Sequence, residues 1–188
     1  MPTNDGQILL PIARAAIAHQ FGDTHPAKED ESWLQEHRAC FVTLTQHAQL
    51  RGCIGTLEAH RSLLHDVKAN AQAAAFHDPR FAPLTKAELD YTEVEVSLLS
   101  TMQDMVFVSE DDALAQLRPE VDGILFEYGR YRSTFLPQVW EQLPDPVEFM
   151  AHLKRKAGLD PRFWDTDVRL YRYTVSKWKE SDLEIASK

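Results

Sequence analysis

This chain of 188 residues is poor in cysteine and has no long apolar run. Its two cysteines, Cys40 and Cys53, do not make the disulfide framework of a small secreted domain. No segment approaches the roughly 20 apolar residues that span a bilayer, and the amino terminus lacks the basic start and apolar core of a signal peptide. We therefore expect a cytoplasmic protein without a membrane partner, in which both cysteines are thiols.

An excess of positive charge is also absent. The chain has 20 Lys and Arg against 29 Asp and Glu, a formal net charge of −9. Such a field repels phosphate backbones, so nucleic acid is disfavoured as a partner. The sequence contains no Cys-x-x-Cys, His-Glu-x-x-His, EF-hand or glycine-rich phosphate-loop pattern. We therefore expect no metal site and no cofactor.

The hydrophobic content of 44% is enough for a real core, in one domain or two small lobes. Hydrophobic periodicity predicts both helices and strands. We expect helices over residues 8–20, 62–76 and 109–118, and another that starts at Pro146 and ends before Gly158. We expect strands over residues 40–45, 50–57, 92–99, 105–108, 124–128, 131–136 and 168–178. The last of these is predicted to rejoin the first sheet.

The most informative segment is residues 50–55, Leu-Arg-Gly-Cys-Ile-Gly. In a strand, residues i and i+2 point to the same face, so Arg51 and Cys53 are predicted to lie side by side. A thiol reacts as thiolate, which a nearby cation favours. Gly52 and Gly55 let another group approach the backbone closely. The segment predicts a reactive or ligand-binding thiol, with a buried packing residue as the alternative.

The spacing of the first two strands predicts a hairpin, with residues 46–49 as its connection. If Thr45 lies opposite Leu50, then Val42 lies opposite Cys53. Cys40 would then lie diagonally from Cys53 on the same face of the sheet, at roughly 7–8 Å. That separation is too long for a relaxed disulfide.

Glu58 and His60 directly follow the second strand. They are candidate catalytic residues, because a carboxylate and an imidazole within reach of Cys53 could serve as acid and base. The alternative is a polar loop that leads to the cap of the next helix. Asn70 lies among alanines of that helix, where a buried amide must be hydrogen-bonded. Structural hydrogen bonding is its favoured role, and contact with a ligand is the alternative.

Arg80 belongs to the turn Asp78-Pro79-Arg80-Phe81. We expect it to pair internally with Asp78 or Glu95, and the alternative is a bidentate clamp on an anionic substrate. Glu95 lies on the face of its strand opposite to the valines Val94 and Val96.

Several strings follow residues 50–55 in one order, and together they resemble the AMMECR domain family. They are Asn70-Ala71, Ala74-Ala75-Phe76, Asp78-Pro79-Arg80-Phe81, Glu95-Val96-Ser97, Asp122-Gly123, residues 134–139 (Thr-Phe-Leu-Pro-Gln-Val) and Lys156-Ala157-Gly158. The resemblance extends from about residue 8 to residue 176. The bacterial and archaeal version of this family is called AmmeMemoRadiSam system protein A.

The resemblance implies an α+β fold of two unequal lobes, each with an antiparallel sheet and helices. We assign residues 1–101 and 166–188 to the large lobe and residues 102–165 to the small one. It also implies that residues 50–55 face a cleft between the lobes, with Glu95 and Gln138 as further cleft candidates. A Memo-like protein and a radical SAM protein are the implied partners.

The family has no settled reaction, so two hypotheses stay open. The first is an enzyme, or an enzyme subunit, that uses the cleft and Cys53. The second is a non-catalytic module whose cleft binds a protein segment or a small ligand.

Overall fold

The structure is a computed structural model that describes residues 5–186. The predicted lobe termini, residues 1–4 and 187–188, lie outside the described residues. The helices are α1 (Gly6–Ala18), α2 (Leu63–Phe76), α3 (Lys86–Leu89), α4 (Glu110–Gln116), α5 (Pro146–Lys156) and α6 (Glu180–Ala186). The strands are β1 (Cys40–Gln46), β2 (Gln49–Gly55), β3 (Glu93–Leu99), β4 (Gln103–Asp104), β5 (Gly123–Tyr128), β6 (Tyr131–Phe135), β7 (Arg169–Tyr173) and β8 (Val175–Lys179).

The first compact unit comprises residues 5–99 and 176–186. Its sheet has the order β2-β1-β3-β8, in which β1 is antiparallel to both β2 and β3. The alternating valines and leucines of β1 and β3 are fully buried with the apolar stripes of α1 and α2. Thr43 and Glu95, which alternate with them, point to the opposite face. The sheet therefore has an apolar face under two helices and a polar face.

The second unit comprises residues 100–175, and its sheet has the order β4-β7-β5-β6. Neighbouring strands in this sheet are antiparallel. Its core contains Trp140, whose ring stacks on that of Phe149 with centroids 3.8 Å apart. Helix α5 is followed by Gly158, which has a φ of +92°. Leu159 N–H donates to the Lys154 carbonyl, as in a Schellman cap. The predicted α+β class with antiparallel sheets is confirmed.

The predicted strand over residues 168–178 is wrong, because it is two strands in two sheets. β7 pairs with β4 and β5, whereas β8 belongs to the first sheet. Between them, Thr174 and Ser100 are joined by two hydrogen bonds of 2.9 Å. No glycine or proline separates β7 from β8, so the sequence carries no turn signal at the change of sheet. Residues 166–175, which we assigned to the large lobe, lie in the second unit.

The strand predicted over residues 105–108 is also displaced. β4 covers Gln103 and Asp104, and Met105 N–H donates to the Leu170 carbonyl. Val106 and Val108 are 85% and 92% exposed. Side chains of α4 bond to their backbone, since Gln116 donates to the Val106 carbonyl and Asp112 accepts from Val108 N–H. These bonds replace strand pairing after Met105.

The β1–β2 hairpin contains a bulge that changes the predicted register. Leu44 lies opposite Gly52 and Thr45 opposite Leu50, so Arg51 is the extra residue. Beyond the bulge Cys53 therefore lies opposite Thr43, not opposite Val42 as predicted. Because a shift of one residue exchanges the two faces of a strand, Cys53 is on the polar face and Cys40 is buried on the other.

The hairpin turn consists of His47 and Ala48, both in the left-handed region with φ of +50° and +63°. Two-residue turns with two positive φ angles favour Asn-Gly, because a Cβ is strained there. The chain thus forms this turn with residues that are poorly suited to it. The imidazole of His47 stacks on Tyr91 with ring centroids 5.8 Å apart.

Replacement of Ala48 by glycine is expected to raise the free energy of unfolding by about 1 kcal/mol, because it removes the left-handed strain. Urea unfolding followed by circular dichroism would measure it. Ala69→Gly in the middle of α2 is the matched control and should lower the same free energy by about 1 kcal/mol. Destabilisation by both substitutions would contradict a left-handed turn at Ala48.

Candidate functional site at Cys53

Cys53 lies in β2, an edge strand of the first sheet, and is partly exposed. The hydroxyl of Thr43, directly opposite in β1, donates to the Cys53 sulfur at 3.2 Å. Thr43 in turn lies opposite Glu95 in β3, so these three residues form one row across the polar face. The structure thus brings the predicted residue Glu95 into the row of Cys53, two strands away.

The free edge of β2 is covered at Cys53 by side chains of the Asp78–Phe81 turn. Cys53 N–H donates to Asp78 Oδ2 at 3.0 Å, and Arg80 Nη2 donates to the Cys53 carbonyl at 3.3 Å. Arg80 Nε and Nη2 also bind Asp78 at 3.0 and 2.7 Å, which is the internal pairing expected from the sequence. Two side chains therefore occupy the place of a neighbouring strand.

The carboxylate of Asp78 is buried, and its charge is compensated within the turn. The hydrogen bond from the Arg80 guanidinium is the main cause that holds the Asp78 pKa well below its ordinary value, followed by the bond from Cys53 N–H. The Arg80 pKa is raised, chiefly by its hydrogen bond to Asp78. Arg80 is therefore the cation that contacts Cys53, through the hydrogen bond to the Cys53 carbonyl.

Arg51, which the sequence predicts beside the thiol, is instead paired with Glu88. The bulge places its side chain so that Nε donates to Glu88 Oε1 at 3.0 Å and Nη2 to the Ala82 carbonyl at 2.9 Å. Thr85 N–H donates to the same carboxylate at 2.8 Å. These bonds, that of Arg51 first, lower the Glu88 pKa to about 2. Among the described residues, Arg51 Nη1 is buried without a hydrogen-bond partner.

The ring of Phe81 contacts both guanidinium groups. The Cζ atoms of Arg51 and Arg80 lie 5.8 and 5.6 Å from its centroid, within the range of cation–π attraction. The aromatic ring thus joins the bulge of β2 to the turn that covers its edge.

The remaining predicted residues lie elsewhere. Glu58 and His60 are exposed, and His60 Nδ1 is 3.1 Å from the Glu58 carbonyl oxygen. Asn70 is buried and donates to the Cys40 carbonyl at 3.0 Å, which is the structural role we favoured. Gln138 is exposed in the 3-10 helix Pro137–Glu141 of the second unit.

The sequence analysis missed Asp66 and Glu88 as partners, and it also missed the hydrogen bond that Asp78 accepts from Cys53 N–H. Asp66 accepts hydrogen bonds from Cys40 N–H at 2.9 Å, from the Cys40 thiol at 3.2 Å and from Arg61 at 2.8 Å. Burial raises the pKa of the Cys40 thiol well above its ordinary value, and the Asp66 charge adds to this effect. Cys40 is thus a buried packing residue, and Cys53 is the accessible thiol. In the missed pairs Cys53–Asp78, Cys40–Asp66 and Arg51–Glu88, the carboxylate is 25, 26 and 37 positions from the group it binds, a separation that local patterns do not connect.

Within residues 5–186 we found no cluster of three or more His, Cys, Asp or Glu side chains suited to a metal ion. In the same part of the chain, none of the helices is long and apolar enough to cross a membrane.

Replacement of Glu88 by glutamine is expected to lower the free energy of unfolding at pH 7 by about 2 kcal/mol, since it leaves the mostly buried Arg51 cation without its counter-ion. Because the folded-state pKa of Glu88 is about 2 against an ordinary 4.5, its contribution is present above pH 4.5 and is lost as the pH falls towards 2. Urea unfolding at several pH values should show the difference between wild type and variant shrinking in that window.

Glu31→Gln is the matched control, because Glu31 pairs with Lys28 in an exposed loop. It should change stability little at either pH. An undiminished difference between wild type and Glu88→Gln at pH 3 would contradict the pairing of Glu88 with Arg51.

Comparison with known proteins adds to this geometry. The AMMECR1 family model matches residues 10–178. A protein of Methanocaldococcus jannaschii is 38% identical over 181 residues, covering 94% of this chain and 90% of its own. One of Methanothermobacter thermautotrophicus is 36% identical over 182 residues, with coverages of 94% and 95%.

A solved structure is similar along almost the same length. The crystal structure of an uncharacterised protein of Pyrococcus horikoshii matches with a TM-score of 0.75 and 33% identity, over 93% of this chain and 91% of that one. These names specify no activity. The family match and the relatives cover both units and the Cys53 site, and the chain therefore belongs to the AMMECR1 family.

Proposed function

We propose that this protein is an enzyme, or the subunit of one, in which Cys53 supplies a reactive thiol. The observation that carries the proposal is that Cys53 is a partly exposed residue whose sulfur receives the Thr43 hydroxyl hydrogen bond, while its backbone N–H and carbonyl are bound by Asp78 and Arg80. A donor aimed at a sulfur favours its thiolate form. A fixed backbone holds a reacting atom in one geometry, which lowers the entropic cost of reaction.

Arg80 supports this proposal as the residue that would bind the substrate. Its side chain is 54% exposed, although Nε and Nη2 are held by Asp78. Nη1 takes no part in those bonds, so a guanidinium with a fixed orientation offers a free donor edge next to Cys53. Such an edge is suited to the carboxylate or phosphate of an anionic substrate.

The proposed partners are a Memo-like protein and a radical SAM protein. They rest on the resemblance of residues 50–55 and 78–81 to the AmmeMemoRadiSam version of the family. In this arrangement one partner would provide the substrate that reacts with Cys53, or would use the product of that reaction. The net charge of −9 supports a protein or small-molecule substrate over nucleic acid.

A second candidate function is a non-catalytic module that binds a protein segment or small ligand at the polar face of the first sheet. It is favoured by the absence of a base at the thiol. Within the described part of the chain, the hydrogen bond to the Cys53 sulfur comes from a hydroxyl, and His60 bonds to its own loop. Nucleophilic cysteines are usually activated by an adjacent base or cation.

We expect Thr43→Val to slow alkylation of Cys53 by iodoacetamide several-fold at pH 8, because the hydroxyl no longer stabilises the thiolate. Mass spectrometry in a Cys40→Ser background would follow the reaction. Thr45→Val, two residues along the same face, is the control and should leave the rate unchanged. Equal rates in both variants, or labelling of Cys53 only after unfolding, would contradict an activated thiol.

Complementation in cells that depend on the protein would separate the two candidates. Cys53→Ser should abolish function if the thiol reacts and preserve it if the face only binds. Arg80→Gln should impair function in both cases, because it removes the proposed binding edge. Full function of both variants would refute the site itself.

A further inference from the structure

The polar face of the first sheet carries a carboxylate whose bonding differs from that of its neighbours. Within the part of the chain that the structure describes, Glu95 accepts no hydrogen bond, although its side chain is only 18% exposed. Its ion-pair partner is Lys179, whose Nζ lies 3.8 Å from Oε2. That distance is too long for a hydrogen bond, and the Lys179 side chain is 52% exposed. Glu95 is therefore a mostly buried acceptor that the fold leaves unused, which is costly for a charged group.

Other carboxylates in this region are satisfied within the protein. Glu93, two residues earlier on the same face, accepts a hydrogen bond from a backbone N–H of α6 at 3.1 Å. Asp78 and Glu88, on the other side of Cys53, each accept bonds from an arginine and from a backbone N–H. The free acceptor capacity is thus concentrated at Glu95.

Glu95 lies in the row of the proposed reactive thiol. Cys53 is opposite Thr43, and Thr43 is opposite Glu95, on three neighbouring strands. Because neighbouring strands are about 4.8 Å apart, the Cα atoms of Cys53 and Glu95 are separated by about 10 Å. A molecule that reacts at the sulfur can therefore reach the carboxylate with a group that lies a few bonds from its reacting atom.

An aromatic ring borders this row on the same face. Phe41 lies opposite Gly55, and a Cβ atom at Gly55 would be 2.2 Å from the Phe41 ring, so the ring covers the glycine. Gly55 is two residues from Cys53, which places the ring beside the thiol. Phe41 is half-buried, and aromatic faces attract organic cations. A carboxylate without donors and an aromatic ring thus both favour a cation that carries N–H groups.

We propose that the substrate of Cys53 carries an ammonium or a guanidinium group, which Glu95 binds while the sulfur meets the reacting atom. This inference rests on the proposed function of Cys53 and adds a substrate class to it. Arg80 would bind an anionic group of the substrate at the edge of β2, and Glu95 would bind the cationic group on the side of β3. The substrate would then be dipolar, with Cys53 between its two charges.

Thiol reagents of different charge would test this substrate class. In a Cys40→Ser background at pH 7, Cys53 would be treated with the aminoethyl, methyl and sulfonatoethyl methanethiosulfonates, which are cationic, neutral and anionic. In each reaction the thiolate displaces methanesulfinate and forms a mixed disulfide, which mass spectrometry detects. Glu95→Gln should lower the ratio of the cationic to the anionic rate by about fivefold or more, and should change the neutral rate by less than about twofold.

Glu93→Gln is the matched control, because Glu93 lies on the same strand and face but opposite Thr45. It should leave the ratio unchanged. Lys179→Gln should raise the ratio, since it removes the positive charge next to Glu95. An equal loss in Glu93→Gln and Glu95→Gln would overturn the proposal, because the preference would then reflect only the negative charge of the face. A loss in both Lys179→Gln and Glu95→Gln would also overturn it, because the cause would be a disturbed structure.

The outcomes separate this inference from the function on which it rests. Equal iodoacetamide rates in wild type and Thr43→Val would refute the activated thiol, whatever the charge preference is. A normal neutral rate with a ratio that Glu95→Gln does not alter would refute the cationic substrate alone. No labelling of Cys53 by any of the three reagents before unfolding would refute both.

Discussion

The site at Cys53 depends on the close approach of helix α2 to strand β2. A Cβ atom at Gly52 would lie 2.1 Å from the backbone oxygen of Ala74, a distance that no side chain tolerates. Ala71, Ala74 and Ala75 are buried on the same helix and keep its surface small. Because the helix ends at Phe76 beside the edge of the sheet, the chain that leaves it carries Asp78 to the Cys53 amide.

That position lets two side chains protect the edge of the sheet. Edge strands expose unpaired N–H and carbonyl groups, which other chains can pair with. Asp78 and Arg80 satisfy both groups of Cys53, and they neutralise each other in doing so. Arg51 and Glu88 form a second such pair at the bulge. Both arginines thus have a structural task, although the Arg80 side chain is still 54% exposed.

Much of the fold could be predicted from periodicity and capping. The half-buried strand at residues 93–99 and the helix ending before Gly158 required no long-range information, whereas the α+β class was implied by the family resemblance. The bulge at Arg51 could not be predicted, because the Arg51 side chain is paired with Glu88, 37 positions away, and no local pattern marks that contact. The change of sheet at Thr174 was missed for a similar reason, since no glycine or proline separates β7 from β8 and the two strands pair with different, distant neighbours.

The sequence predicted which residues belong to the site better than it predicted which of them bind one another. Cys53, Arg80 and Glu95 were named from the sequence, and the structure joins the first two directly and places the third in the same row. The error lay in treating residues 50–55 as a regular strand, which put Arg51 beside the thiol. One extra residue in β2 was enough to exchange Arg51 for Thr43 as the neighbour of Cys53.

The same bulge explains why the two thiols differ. Without it, Cys40 and Cys53 would share the face packed under α2, and both would be buried hydrophobes. With it, Cys40 stays under the helix, where Asp66 and Asn70 surround it and burial keeps it protonated. Cys53 turns to the polar face, where a hydroxyl and an arginine are its neighbours. A register difference of one residue therefore decides which of the two thiols reaches solvent, and the strand edge at that thiol is closed by the buried carboxylate of Asp78 and by Arg80.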